Sequence, residues 1–271
     1  MASDIAKVYE KNRKVEAVLL GGSVARNWND QYSDIELFVF WKDSPTDEDR
    51  LASIEKVEGD IIDFHTYEDE EWSETYITQG IKLEISNFLT DTINQVIDDV
   101  LLSFDTNLDK QCLVAAVHYG VSLSGDLVIN PMKKRTHHYP TELSLAMIKD
   151  NILLGNRWNN RLALLDREDW LMLYKVMVDV QTNIMGMLFG LNRLYVHHPA
   201  FKWQKQTLES MEMTPTNTVH RLGSTFLEDP SDSIKNLERI IREVYELIQM
   251  EHPQIDLSSV IDKSLFLRPK N

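Results

Sequence analysis

The chain has 271 residues, 43% hydrophobic and 26% charged, which are ordinary values for a folded protein and exclude disordered and fibrous architectures. Acidic residues outnumber basic ones 43 to 28, for a formal net charge of −15. A field of that sign repels phosphate backbones, so no nucleic-acid partner is expected, and it favours a cation, either a metal ion or an amine-bearing small molecule. The one cysteine, Cys112, excludes an intrachain disulfide. The opening MASDIAKVYEKNRK has no apolar core of the signal-sequence kind. The apolar run 184–191, broken by Gly186 and Gly190, falls far short of the roughly 20 residues that span a bilayer. A cytoplasmic protein with no membrane partner is expected.

Residues 15–20 (VEAVLL) are the first predicted strand, ending at Gly21-Gly22, and residues 35–41 (IELFVFW), rich in aromatic and β-branched side chains, the second. Ser44 then Pro45 predict the cap and first residue of a helix reaching residue 57. Residues 61–67 (IIDFHTY) and 81–88 (IKLEISNF) are the third and fourth strands, and the acidic run 68–71 is a solvated turn. Helical periodicity returns over 91–102. The pattern is α+β or α/β, with a sheet of about four strands.

Residues 130–140 (NPMKKRTHHYP) hold Pro131, Pro140 and the basic run Lys133-Lys134-Arg135, and read as a solvated connection between an N-terminal domain, 1–130, and a C-terminal one, 131–271. From Thr141 onward the pattern is helical. Leu143, Ala146, Met147, Ile152 and Leu153 follow the three-to-four spacing of a buried stripe. Asp166 is the expected cap of a helix that carries Leu171, Tyr174, Met177 and Val178 on one side and runs to residue 191. Pro199 opens another helix, and Pro230 a long one through Ile240, Val244 and Ile248. The back half is thus expected to be a bundle of about four or five helices. Met172, Met177, Met185 and Met187 are core packing. The pairs His137-His138 and His197-His198 do not make a zinc site, because adjacent residues rarely aim at one metal and no HExxH or Cys-rich spacing accompanies them.

The chemistry concentrates in residues 20–41, LGGSVARNWNDQYSDIELFVFW. Gly21 and Gly22 follow a strand directly and allow backbone torsions that a side chain forbids, and Ser23 adds a hydroxyl at the start of a short helix. Backbone N–H groups at such a turn can hold phosphate oxygens, although a Gly-Gly-Ser after a strand also serves as a plain turn. Asp34 and Glu36 lie two apart at the start of an otherwise apolar strand, so both carboxylates point to one face. Two anions side by side near a core call for a compensating positive charge, and a hard divalent cation such as Mg²⁺ suits them. The alternative is a solvent-exposed strand end.

A strand, a Gly-Gly-Ser turn and then Asp-x-Glu on a neighbouring strand resemble the signature of the polymerase-β-like nucleotidyltransferase superfamily. More narrowly, NDQYSDIE at residues 29–36 resembles the wording of the lincosamide nucleotidyltransferases. The superfamily's commonest pair is Asp-x-Asp, and Glu36 in the second place is similar to the lincosamide subgroup. The resemblance implies an α+β fold in which an N-terminal nucleotidyltransferase domain, a mixed sheet with flanking helices, is joined to a C-terminal α-helical bundle.

It also implies a third carboxylate that completes the metal site or takes the proton of the attacking hydroxyl. Glu84, in the apolar stretch 81–85, is favoured for this catalytic place, and Asp63 is its rival. In the helical half, Arg193, Tyr195 and Lys202 mark a helix end and the start of the next, in a string similar to ones in helical domains attached to bacterial nucleotidyltransferases. Together with Gly22 and Ser23 they are the expected nucleotide-binding residues, Arg193 and Lys202 through charge-assisted hydrogen bonds to a triphosphate. A surface loop of solvated basic side chains is the plainer reading of that string.

The function expected is Mg²⁺-dependent transfer of a nucleoside monophosphate, AMP from ATP, onto a hydroxyl of a small cationic acceptor such as an aminoglycoside or lincosamide antibiotic. The alternatives are AMP transfer onto a protein, as in some toxin–antitoxin systems, and a non-catalytic nucleotide-binding module of the same fold. A monomer and a homodimer are both compatible with the sequence.

Overall fold

The computed structural model describes residues 1–269, and the chain divides into two compact units, Met1–His138 and Tyr139–Asn271. In the first unit α1 (Ala2–Tyr9) leads to β1 (Val15–Leu20), the single turn α2 (Gly22–Ala25), β2 (Ile35–Trp41), α3 (Asp47–Lys56), β3 (Asp60–Phe64), β4 (Trp72–Thr78), β5 (Ile81–Leu89), α4 (Thr90–Leu102), α5 (Leu108–Tyr119), β6 (Val121–Ser124) and α6 (Asp126–Thr136). Among the described residues, six strands form one sheet in the order β3-β4-β5-β2-β1-β6. Strands β2 and β5 run parallel, and every other neighbouring pair is antiparallel.

β1 and β2 occupy the predicted spans, and β5 starts where expected. The sheet is larger than about four strands because β4 and β6 escape the sequence pattern. β4 (WSETYIT) carries a charged residue, Glu74, in its middle, and β6 is only four residues long. The acidic run 68–71 is the tight turn joining β3 to β4, closed by reciprocal backbone hydrogen bonds between Glu68 and Glu71.

The sheet is covered on both faces. On one, Ile5 and Tyr9 of α1 and Ile54 of α3 pack with Val18, Leu20, Leu37, Val39, Leu83 and Ile85. These strand positions alternate with Leu19, Phe38, Phe40 and Phe88, which face the side where α4, α5 and α6 pack against one another. Helix α3 is capped by Thr46 rather than Ser44. The Thr46 hydroxyl accepts from Asp49 N, and the Asp49 carboxylate accepts from Thr46 N, a reciprocal box that leaves Pro45 ahead of the helix.

Only the end of the stretch 130–140 connects the two units. The first part belongs to α6, which contains Pro131, and the two units meet after His138 rather than at residue 130. The basic run is structural. Lys133 Nζ donates to the carbonyls of His118 and Gly120 at 3.1 and 2.5 Å, satisfying orphan acceptors at the end of α5. Arg135 donates to Asn94 Oδ1 at 3.0 Å and pairs with Asp98 on α4.

In the second unit, α7 (Thr141–Asn151), a 3-10 turn (Trp158–Asn160), α8 (Arg161–Asp166), α9 (Trp170–Leu191), α10 (Gln204–Glu209), α11 (Thr218–Ser224), α12 (Pro230–Glu251) and α13 (Ser258–Leu265) make seven α-helices among the described residues, more than the four or five expected. Its core is α9 packed against α7 and α12: Leu143 and Met147, Met177, Val180 and Ile184, and Leu237, Ile241 and Val244 are all buried. Gly190 permits close approach, since a Cβ there would stand 3.0 Å from the Ser144 carbonyl, and Ser144 Oγ donates to Gly190 O at 2.7 Å.

The cap residue of α9 is Asp169, and Asp166 instead ends α8. The buried side of α9 is also rotated from expectation. Met177 is buried, but Leu171 is 90% exposed and Val178 is also exposed, while Leu173 and Val176 turn inward. Pro199 lies in a turn ahead of α10, whereas Pro230 opens α12 as predicted, behind Asp229 as cap. No helix among the described residues is long and apolar enough to cross a membrane.

Candidate functional site

Glu36 and Glu84 are register partners across the parallel β2–β5 ladder, so both side chains leave the sheet on the same face. Asp34 and Lys82, each two residues earlier, continue that row past the start of β2. The Lys82 ammonium lies between two of the acids. Its Nζ is 3.4 Å from Asp34 Oδ2 and also hydrogen-bonds Glu84 Oε1. The Glu84 bond first, and then the nearby carboxylate charges, hold Lys82 above its ordinary pKa. The side chains of Lys82 and Glu84 are 44% exposed and that of Asp34 22%, so the row opens to solvent while Phe38 and Phe88 continue it into the core.

The glycine bend sits directly against this row. Gly21 N donates to Glu36 O at 2.9 Å at the end of the β1–β2 ladder. Gly22 has φ +60°, a conformation that costs other residues about 1–2 kcal/mol, and a Cβ there would land on the Glu36 carboxylate. Two constraints thus require glycine at one position, the left-handed backbone and the Glu36 carboxylate lying against the bend. Ser23 is buried in the turn behind it. The loop into β2 is fixed locally: the Asp30 carboxylate accepts from Tyr32 N at 2.9 Å and from Ser33 Oγ at 3.2 Å, and Ser33 Oγ accepts from Asp30 N at 2.9 Å. That turn delivers Asp34 to the start of the strand.

Of the two candidates for the third acid, Glu84 stands beside Glu36. Asp63 is an exposed residue of the edge strand β3, separated from β2 by β4 and β5. Arg193 and Lys202 lie in the second unit, between α9 and α10. Arg193 pairs with Glu251 at 3.4 Å, and Lys202 is exposed. Tyr195 must be corrected from a ligand contact to a core residue. It is 2% exposed, with its ring 4.9 Å from that of Tyr139, so no face is left for a nucleotide.

Sequence reading passed over two groups. Arg26, four residues after Gly22, holds its guanidinium 3.8 Å above the Tyr119 ring and 4.8 Å from that of Trp28, with Nη2 buried and without a hydrogen-bond partner. A guanidinium kept by aromatic rings with a free donor suits an anion. The Gly-Gly-Ser-x-x-Arg spacing was the available signal. Cys112 lies nearby, but burial pushes its thiol up to about 12, which leaves it inert.

The second group is on the opposite face. Glu74 and Arg50 are fully buried and paired at 3.0 Å, Asn87 donates to the same Glu74 oxygen at 2.9 Å, and Trp41 Nε1 donates to Asn87 Oδ1 at 2.8 Å. Burial pushes Glu74 up to about 7 against the pull of Asn87 and Arg50. This network ties α3 to β2, β4 and β5 beneath the site.

Among the described residues, no three His, Cys, Asp or Glu side chains converge closely enough as they stand to hold a metal ion. The donor chemistry nevertheless suits a hard cation. Asp34, Glu36 and Glu84 offer oxygen only, and a positive charge already sits between two of them in the form of Lys82.

A search of curated proteins finds no match. Residues 106–204 match a domain of unknown function (DUF4037), a span that crosses the division between the two units. Among solved structures, the chain is similar to a nucleotidyltransferase-like protein from Exiguobacterium sibiricum 255-15, with 13% identity over 97% of this chain and 76% of that one, at a TM-score of 0.41. Residues 3–98, which include the glycine bend, Asp34, Glu36 and Glu84, match the family described as polymerase beta, nucleotidyltransferase, so the front of this chain carries a nucleotidyltransferase-type domain.

Proposed function

We propose that the protein transfers a nucleoside monophosphate, AMP from ATP, to a hydroxyl of a small cationic acceptor and releases pyrophosphate. The observation that carries this reading is the row of Asp34, Glu36 and Glu84 on one sheet face with the Gly22 bend pressed against it, inside a nucleotidyltransferase-type domain. Asp34 and Glu36 would hold Mg²⁺, which when bound supplies charge neutralisation for the triphosphate. Glu84 is half exposed and stands in register with Glu36, so it can accept the proton of the incoming hydroxyl. The backbone at Gly22 and Ser23 borders the row and offers N–H donors to phosphate oxygens, and Arg26 adds a guanidinium donor on the same segment. Arg193 and Lys202 are further candidates for triphosphate contacts, supported by charge alone.

The acidic balance of 43 to 28 favours a cationic acceptor, and the aminoglycoside and lincosamide antibiotics are the class to test first. The test is pyrophosphate release from each nucleoside triphosphate with Mg²⁺ and a panel of those compounds, together with mass analysis of the acceptor. An acceptor gaining one nucleotide mass, and no gain with an Asp34→Ala/Glu36→Ala variant, is the expected result. Transfer that survives intact in the double variant overturns the reading.

A further inference from the structure

We propose that Lys82 is a tethered counter-cation. Before nucleotide binds, its ammonium holds Asp34 and Glu84 together and keeps out free divalent metal, until a nucleoside triphosphate arrives to take the ammonium over. The inference rests on the reading of this row as a metal-dependent nucleotidyl-transfer site.

The argument starts from position. Lys82 is two residues before Glu84 on β5, which puts it on the carboxylate face at the level of Asp34. Its two ion-pair partners are Asp34, level with it across the start of β2, at 3.4 Å, and Glu84, two residues on along β5, in a direct hydrogen bond. The third acid, Glu36, packs against the Gly22 bend. The ammonium therefore sits between two of the acids that would hold a divalent ion.

Nothing in the packing demands a lysine here. The side chain is 44% exposed, and the neighbouring Ile81 is exposed as well. Without it, Asp34 and Glu84 would lose the cation they share.

The consequence is a competition. A free hydrated divalent ion must displace an ammonium that two acids hold, so its affinity for the nucleotide-free protein is low. A metal that arrives on a triphosphate brings phosphate oxygens with it, and these offer the displaced ammonium a new partner. Lysine suits that exchange because its charge is a compact point on a flexible four-carbon stem. The lysine thus couples metal binding to nucleotide binding, a positioning role rather than a catalytic one.

The test uses the full chain and Mn²⁺ as the probe, with free Mn²⁺ followed by electron paramagnetic resonance. Wild type, Lys82→Met and Lys82→Gln are titrated without nucleotide, and wild type is titrated again with a non-hydrolysable ATP analogue. Both charge-removing variants are expected to bind Mn²⁺ without nucleotide at least about 10-fold more tightly than wild type, the size of an ordinary coupling between neighbouring sites. Adding Asp34→Asn to Lys82→Met should abolish the gain. A structural role for the lysine would not produce tighter metal binding. Unchanged or weaker Mn²⁺ binding in both variants, with circular dichroism matching wild type, overturns the proposal for Lys82. Failure of wild type to bind Mn²⁺ even with the analogue instead overturns the nucleotidyl-transfer reading, so the two failures are distinguishable.

Discussion

The Glu36 carboxylate occupies the space that a side chain on Gly22 would need, so the bend after β1 and the acid on β2 are fitted to each other. Gly22→Ala must both adopt φ +60° and push Glu36 away. Chemical denaturation is expected to show a loss of about 1–2 kcal/mol from the backbone alone. Transfer activity should fall further than stability does, because the displaced group is the carboxylate assigned to the metal. An alanine variant with wild-type activity would separate the bend from the site.

The register of β2 and β5 distinguishes the acids. Glu36→Gln and Glu84→Gln remove charge from the shared face and are expected to lower the transfer rate by ~10²-fold or more, the range for loss of a general base or an equivalent charged group. Asp63→Asn, on the exposed edge strand, should leave the rate within about two-fold, since surface changes away from such features are nearly neutral. Initial rates of pyrophosphate release on the three purified variants check this.

The buried Arg50–Glu74 pair predicts a stability effect without direct contact with the reaction. Glu74→Ala strips a fully buried guanidinium of its carboxylate and should cost about 3–5 kcal/mol, measured by urea unfolding. The pH dependence has a definite sign. Burial raises the Glu74 carboxyl from its ordinary 4.5 to about 7, so between those values the folded protein binds more protons than the unfolded chain. The contribution of this group is therefore fully present below pH 4.5 and is lost as the pH rises towards and through 7. Glu74→Gln, which cannot titrate, should flatten that part of the curve of unfolding free energy against pH.

Arg26 supplies a fourth test. Its guanidinium is stacked on Tyr119 and has one buried nitrogen without an acceptor. Arg26→Met keeps much of the packing and removes the charge. Weaker binding of an ATP analogue by about 10-fold, with adenosine binding unchanged, is the expected calorimetric result, because a charge-assisted bond to phosphate is worth about 1.5–3 kcal/mol. Equal loss for adenosine and the triphosphate would assign Arg26 to the fold rather than to the phosphates.

Much of the site could be read along the chain because its signals are local. The Gly-Gly-Ser bend ends a strand, and Asp34 and Glu36 are two apart at the start of the next, so alternation alone puts them on one face. The spans of β1 and β2, and the long helix α12 opened by Pro230, follow from apolar periodicity and capping for the same reason. Where the reading failed, a partner distant in sequence was deciding. Glu74 disguises β4 as a polar segment, and it is Arg50 and Asn87 that make its burial tolerable. Lys133 and Arg135 look like a solvated run until the end of α5 and the side of α4 receive them. Tyr195 looks like a binding residue until its ring meets Tyr139.

Composition, charge sign, the glycine bend and the paired acids are properties of neighbouring residues, and short-range sterics and alternation carry them without help from the rest of the fold. That Glu84 rather than Asp63 stands beside Glu36, and that Lys82 sits among the acids, depends on which strands lie side by side. Strand order is set by burial of whole faces against α1, α3 and the α4–α6 layer, a collective energy that no window of residues contains.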